Sequence, residues 1–83
     1  MSTKEKLIER FKRLPSDFTF DELVRVFELY GFHIDNKGRT SGSRVRFRNG
    51  NMSFICHKPH PYPEMKKVAL KEAYNYLFYK KPV

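Results

Sequence analysis

The stretch Ser43-Arg44-Val45-Arg46-Phe47-Arg48-Asn49-Gly50-Asn51-Met52-Ser53-Phe54-Ile55-Cys56-His57 decides how this chain folds. Polar and apolar residues alternate from Ser43 to Arg48, the period-two pattern of a half-buried strand. Asn49-Gly50 is a strong signal for a tight type I′ hairpin turn, because both central residues of that turn need positive φ. Asn51 to His57 then returns as a second strand. With Asn49-Gly50 as the loop, Arg48 faces Asn51, Phe47 faces Met52, Arg46 faces Ser53, Val45 faces Phe54 and Arg44 faces Ile55. One face of the hairpin is then Val45, Phe47, Met52, Phe54 and Cys56. The other carries Arg44, Arg46, Arg48, Ser53, Ile55 and His57. A slip of one residue would exchange the two faces and bury the arginines, so the separation is strongly specified. The pattern predicts a row of arginines on the open side of a sheet.

Upstream, Phe32-His33-Ile34-Asp35 alternates and reads as a further strand, separated from the hairpin by the polar, glycine-containing loop 36–42. Before it, Thr19-Phe20-Asp21-Glu22 is a capping box: the Thr19 hydroxyl accepts from the Glu22 N–H while the Glu22 carboxylate reaches back. Phe18 and Leu23 stand at the two positions of a hydrophobic staple. Phe20, Leu23, Val24, Phe27 and Tyr30 follow at helical spacing, and Gly31 is placed to end the helix in the left-handed conformation. A shorter helix over 3–13 carries Leu7, Ile8, Phe11 and Leu14, and Pro15 stops it. Downstream, the three prolines of Lys58-Pro59-His60-Pro61-Tyr62-Pro63 hold that segment extended. A last helix is expected from Glu64 to Tyr79, burying Leu70, Ala73, Tyr74 and Leu77. The predicted order is two helices, a three-stranded antiparallel sheet and a helix. This is an α+β fold in which helices cover one sheet face and leave the arginines on the other.

At 83 residues the chain is expected to be one domain. The single cysteine, Cys56, excludes an intrachain disulfide and a cysteine-based zinc site, and on the apolar face it should pack as a small hydrophobe. No apolar run approaches a membrane span, and Met1 to Lys6 has no apolar signal core, so a cytoplasmic location is expected. The net charge is +8, and its distribution is uneven. Residues 36–63 contain no Asp or Glu but carry Lys37, Arg39, Arg44, Arg46, Arg48 and Lys58, six of the 17 Lys and Arg. Such a segment attracts polyanions. A membrane surface fits poorly, because the cations lie on a strand without an adjoining apolar helix face. Nucleic acid and an acidic protein surface both fit, and the charge pattern alone does not separate them.

Several short motifs together resemble a known family. They are Tyr30-Gly31-Phe32 at the end of a helix, Lys37-Gly38 and Gly42-Ser43 in a glycine loop, the basic strand and hairpin, Pro59-His60-Pro61, and the closing helix. In this order they look like the HicA, or YcfA-like, toxins, with the likeness covering roughly 20–77. The resemblance implies a fold similar to the double-stranded RNA-binding domain over 17–80, with 1–16 as an added N-terminal helix. It implies an mRNA endoribonuclease that needs no metal or other cofactor and is neutralised by a HicB-like antitoxin. Self-association stays open at this point.

Typical members carry a histidine after the Gly-Ser pair, and this chain has Arg44 there. An imidazole can take the 2′-hydroxyl proton near neutral pH, whereas a guanidinium cannot. Arginine can still hold a phosphate bidentately and stabilise charge developing on it. The expected catalytic residues are therefore Arg44 for the phosphate and His57 or His60 for the proton. His57 shares the face of Arg44, and His60 matches the family's Pro-His-Pro element. Lys37, Arg39, Ser43, Arg44, Arg46, Arg48 and Lys58 are the expected RNA contacts. His33 is expected to be a solvent-facing strand residue, and Tyr62 on the proline-rich segment is a candidate for base stacking. The alternative is a HicA-like module that binds RNA or a partner without cleaving.

Overall fold

The structure, a computed structural model, describes residues 3–35, 44–59 and 61–79. Its elements are α1 (Thr3–Lys12), α2 (Phe20–Leu29), β1 (His33–Ile34), β2 (Arg44–Asn49), β3 (Met52–His57) and α3 (Lys67–Tyr79). The strands form one antiparallel sheet in the order β1-β2-β3, so β3 is an edge strand among the described residues. Three helices on a three-stranded antiparallel sheet make the α+β fold expected from the sequence, consistent with a double-stranded-RNA-binding-domain-like arrangement. The expected loop 36–42 lies outside the described residues.

Local chemistry accounts for both ends of α2. The Thr19 hydroxyl accepts from the Glu22 N–H at 3.2 Å, and the Thr19 N–H donates to the Glu22 carboxylate at 2.9 Å, which completes the capping box. Phe18 and Leu23 are both fully buried, as the staple requires. At the other end, Gly31 stands at φ +90°, its N–H donates to Glu28 C=O at 3.0 Å, and Phe32 N–H donates to Phe27 C=O at 2.9 Å. That pair of bonds is a Schellman motif and needs the left-handed residue that glycine supplies without strain. The buried stripe differs slightly from expectation. Val26 is buried, Val24 is only half-buried, and Tyr30 is the C-cap with 38% of its surface exposed.

Arg10 of α1 joins this cap. Its guanidinium donates to both oxygens of Glu22 at 3.2 Å and to Asp17 at 3.1 Å. Burial pushes the Glu22 carboxyl up, but the hydrogen bond from Arg10, the Thr19 N–H and the Arg10 charge outweigh it and hold the group below its ordinary value of 4.5. A depressed carboxyl stabilises the fold above the ordinary carboxylate range, and that stability is lost as pH falls through the lowered value. Replacing Thr19 with Ala is therefore expected to cost about 1 kcal/mol at neutral pH. Glu22→Gln should leave a shallower loss of stability below pH 4.5 than wild type shows. Urea unfolding followed by circular dichroism across pH measures both, and identical acid profiles for wild type and Glu22→Gln would contradict the assignment.

The core lies between the sheet and the helices. The Phe27 ring of α2 stacks on Phe47 of β2 at 4.3 Å with an interplanar angle of 2°, and meets Phe54 of β3 at 5.4 Å and Phe32 at 5.2 Å. Tyr76 of α3 reaches Phe54 at 4.8 Å, so α2 and α3 cover the same sheet face. Cys56 packs on that face too, and burial pushes its thiol up to about 11. The N-terminal helix shares this core, since fully buried Phe11 contacts Phe18 at 5.5 Å and Tyr74 at 5.9 Å.

Two expected boundaries move. The hairpin loop is Gly50-Asn51 rather than Asn49-Gly50, with Asn49 opposite Met52, Phe47 opposite Phe54, Arg46 opposite Ile55 and Arg44 opposite His57. Gly50, at φ +60°, takes the first central position, as in a type II′ turn, where only that residue needs positive φ. Asn49 is left free to pair within the ladder. The shift moves each partner by two residues, so the faces stay as expected while the cross-strand neighbours change. The second change is in α3, which starts at Lys67, not Glu64. Phe20 N–H donates to Pro63 C=O at 2.9 Å and Met65 N–H to Phe18 C=O at 2.7 Å. Glu64 therefore lies in a short bridge opposite Thr19, and Met65 is buried behind it.

Candidate nucleic-acid interface

β2 turns Val45 and Phe47 toward the helices and Arg44, Arg46 and Arg48 to the other side, as strand alternation dictates. Across the ladder, Arg44 has His57 directly opposite, Arg46 has Ile55 and Arg48 has Ser53. Directly opposed residues on one face hold their Cβ atoms roughly 4.5–5.5 Å apart. Arg44 and His57, both exposed, therefore stand side by side at the end of the sheet away from the hairpin turn. The sequence-based register made them diagonal neighbours, and the shifted turn makes them a direct pair.

The three arginines are not electrostatically alike. Arg48 donates to the Asp35 carboxylate at 3.2 Å, and Asp35 is largely buried with 13% of its side chain exposed. Its charge is thus offset at the β1 side of the sheet. Arg44 and Arg46 form no ion pair among the described residues. Lys58 follows β3, and its ammonium lies 5.9 Å from the centre of the Phe20 ring. His33 is exposed, opposite Arg48 on β1. Lys37, Arg39, Ser43 and His60 lie outside the described residues.

Beside His57 the edge of β3 borders a groove of about 530 Å³, lined among others by Ile55, Lys58, Tyr62, Lys66, Ala69 and Glu72. Sequence reasoning missed Lys66 and Glu72. Lys66 stands just before α3 and Glu72 on it, and only the docking of that helix brings them near β3. Among the described residues, no group of three or more His, Cys, Asp or Glu side chains could hold a metal ion. No helix is long and apolar enough to cross a membrane among the same residues.

The arginine face thus combines two guanidiniums without an ion pair among the described residues and an exposed imidazole on the ladder, while the Lys58 ammonium lies past the end of β3 against the Phe20 ring. Such a set can hold phosphate oxygens and exchange one proton at the same place. In comparison with known protein families, the model described as HicA toxin of bacterial toxin-antitoxin matches residues 20–77. Neither the curated proteins nor the solved structures yield a match.

Proposed function

Because the chain belongs to the HicA toxin family of bacterial toxin–antitoxin systems, we propose that it is an mRNA endoribonuclease whose phosphate and proton sites are Arg44 and His57. The observation that carries this reading is the direct cross-strand pairing of these two residues on the exposed sheet face. Arg44 and Arg46 grip the scissile phosphate and its neighbour. His57, as neutral imidazole, takes the proton of the 2′-hydroxyl while that oxygen bonds to the adjoining phosphorus. The phosphorus–5′-oxygen bond breaks, and the leaving oxygen takes up a proton, a role we assign to His60. The products are a 2′,3′-cyclic phosphate and a 5′-hydroxyl. Arg44 supplies the electrostatic part, since its charge opposes the negative charge that grows on the phosphoryl oxygens. The chemistry needs no metal or other cofactor. Lys37, Arg39, Ser43 and Lys58 extend the RNA contact along the acid-free segment. The antitoxin is HicB-like and covers the arginine face.

The guanidinium at position 44, which cannot exchange a proton, favours a second reading: a protein that binds RNA, or its antitoxin alone, and does not cut. Incubating RNA with purified protein in EDTA separates the two. Cleavage ending in a 2′,3′-cyclic phosphate supports the nuclease, and intact RNA with retained binding supports the binder.

Both readings share an electrostatic prediction. Each phosphate neutralised adds about 0.7 to the slope of log affinity against log salt for single-stranded RNA. Arg46→Ala should lower that slope by about 0.7, whereas Arg48→Ala should change it less, because Asp35 already offsets Arg48. Equal slope losses for the two variants in a filter-binding salt series would contradict the distinction between them.

A further inference from the structure

The groove at the edge of β3 points to a specificity that a row of arginines lacks. Ile55 and His57 line it from the arginine face, so it opens directly onto the surface proposed to hold phosphates. Its volume of about 530 Å³ suits a small organic group. Ile55 is 44% exposed and Tyr62 72% exposed, a large apolar area left uncovered at its rim. Tyr62 is also held in place. Pro61 and Pro63 flank it, and the following residues are pinned by the Phe20–Pro63 and Met65–Phe18 backbone bonds at 2.9 and 2.7 Å. An aromatic ring on a restrained backbone loses little freedom when something stacks on it.

We propose that this groove takes one unpaired nucleobase of the RNA, stacked on the Tyr62 ring, with the adjoining phosphates on Lys58 and Arg44. The proposal rests on the RNA reading above and adds that the RNA is recognised as a single strand. Hydrogen bonding and stacking favour a base over an acidic protein segment. Glu64 and Glu72 both line the groove. Their carboxylates accept hydrogen bonds from the amino groups of a neutral base, and the exposed Tyr62 ring offers it a stacking face, neither of which an acidic side chain uses. The cations that attract the backbone, Lys58 and Lys66, are lining residues as well. A base inside a duplex is already stacked on its neighbours and cannot enter, so uptake requires an unpaired nucleotide.

The test uses full-length protein and 2′-O-methyl oligonucleotides, which cannot be cut because the attacking hydroxyl is blocked. Affinity for a single strand and for the duplex of the same sequence is measured by fluorescence anisotropy across a salt series. Wild type should favour the single strand. Tyr62→Ala should weaken single-strand binding about ten-fold, with the salt slope and duplex binding unchanged, because base–aromatic stacking contributes on that scale without charge. Tyr62→Phe, which keeps the ring, should stay within about two-fold of wild type. Circular dichroism confirms folding, which a side chain this exposed should not disturb. An unchanged single-strand affinity in Tyr62→Ala overturns the base subsite and leaves the RNA reading standing, as does an equal loss on single strand and duplex. Absence of salt-dependent binding to either oligonucleotide by wild type overturns the RNA reading and this inference with it.

Discussion

Replacing His57 with alanine is expected to lower metal-free RNA cleavage by about 10²–10⁴-fold, the range that a positioned general base contributes. RNA binding should change far less, because the proposed phosphate contacts, Arg44, Arg46 and Lys58, are retained. The position allows a clean substitution, since His57 is exposed at the end of β3 and contributes nothing to the core. Arg44→Ala should also slow cleavage, and in addition it should weaken binding and flatten its salt dependence, because one side chain both holds the phosphate and stabilises charge on it. Arg44→His offers the reverse test. It places an imidazole directly opposite His57, at the position where the resemblance led us to expect one, and should maintain or raise the rate while lowering affinity. The decisive measurement is the initial rate of cleavage of a defined single-stranded RNA in EDTA, with the ends of the products identified. A His57→Ala enzyme as fast as wild type removes His57 from the reaction. If His60→Ala is then the inactive variant, the proton-accepting role moves to His60.

The largest expected effect on stability belongs to Phe27. Its ring is fully buried and contacts three other phenylalanines: Phe47 in parallel at 4.3 Å, Phe54 at 5.4 Å and Phe32 edge-on at 5.2 Å. Truncation to alanine leaves a cavity that rigid neighbours cannot close, and costs about 3–5 kcal/mol. A domain of this size has roughly 4–12 kcal/mol of total stability, so the variant should be largely unfolded or close to it. Phe27→Leu, which keeps most of the volume, should lose much less. Urea midpoints followed by circular dichroism measure the difference, and a loss below about 1 kcal/mol for Phe27→Ala would contradict this packing. The consequence reaches the site, because Phe47 lies on β2 between Arg46 and Arg48. Phe27 presses on the back of the strand whose front carries the arginines. A destabilised Phe27 variant should therefore lose RNA affinity even though no residue of the proposed RNA surface has changed.

The sequence was informative wherever one local rule had one solution. Thr19 and Glu22 form a cap with a single geometry, Gly31 is the residue that a left-handed helix end prefers, and alternation from Arg44 to His57 sorts arginines from aromatics whichever turn is used. The fold class, the arginine face and the burial of Cys56 follow from those rules. The sequence was ambiguous where a choice lay between two allowed local states. Asn49-Gly50 and Gly50-Asn51 can each close a hairpin, and the observed register keeps Asn49 in the ladder, where its amide group reaches Tyr30 C=O at 3.4 Å. That choice made Arg44 and His57 direct partners.

The layer arrangement was legible, but the contacts of particular residues distant in sequence were not. Glu64 reads as the first residue of a helix because acidic residues favour helix starts. Backbone pairing of Pro63 and Met65 with Phe20 and Phe18 instead holds it extended. Nothing in residues 58–66 encodes the position of 18–20, so neither the buried Met65 nor the groove beside Tyr62 could be anticipated. The pairing of Arg48 with Asp35 has the same origin, since two residues distant in sequence become neighbours only when β1 docks on β2. By itself, then, the sequence determined the elements, their faces and the basic surface, because hydrophobic period and capping act over a few residues. Tertiary structure alone decided which arginine of β2 is offset by Asp35 and which side chains line the groove beside β3, because those depend on the docking of whole strands and helices.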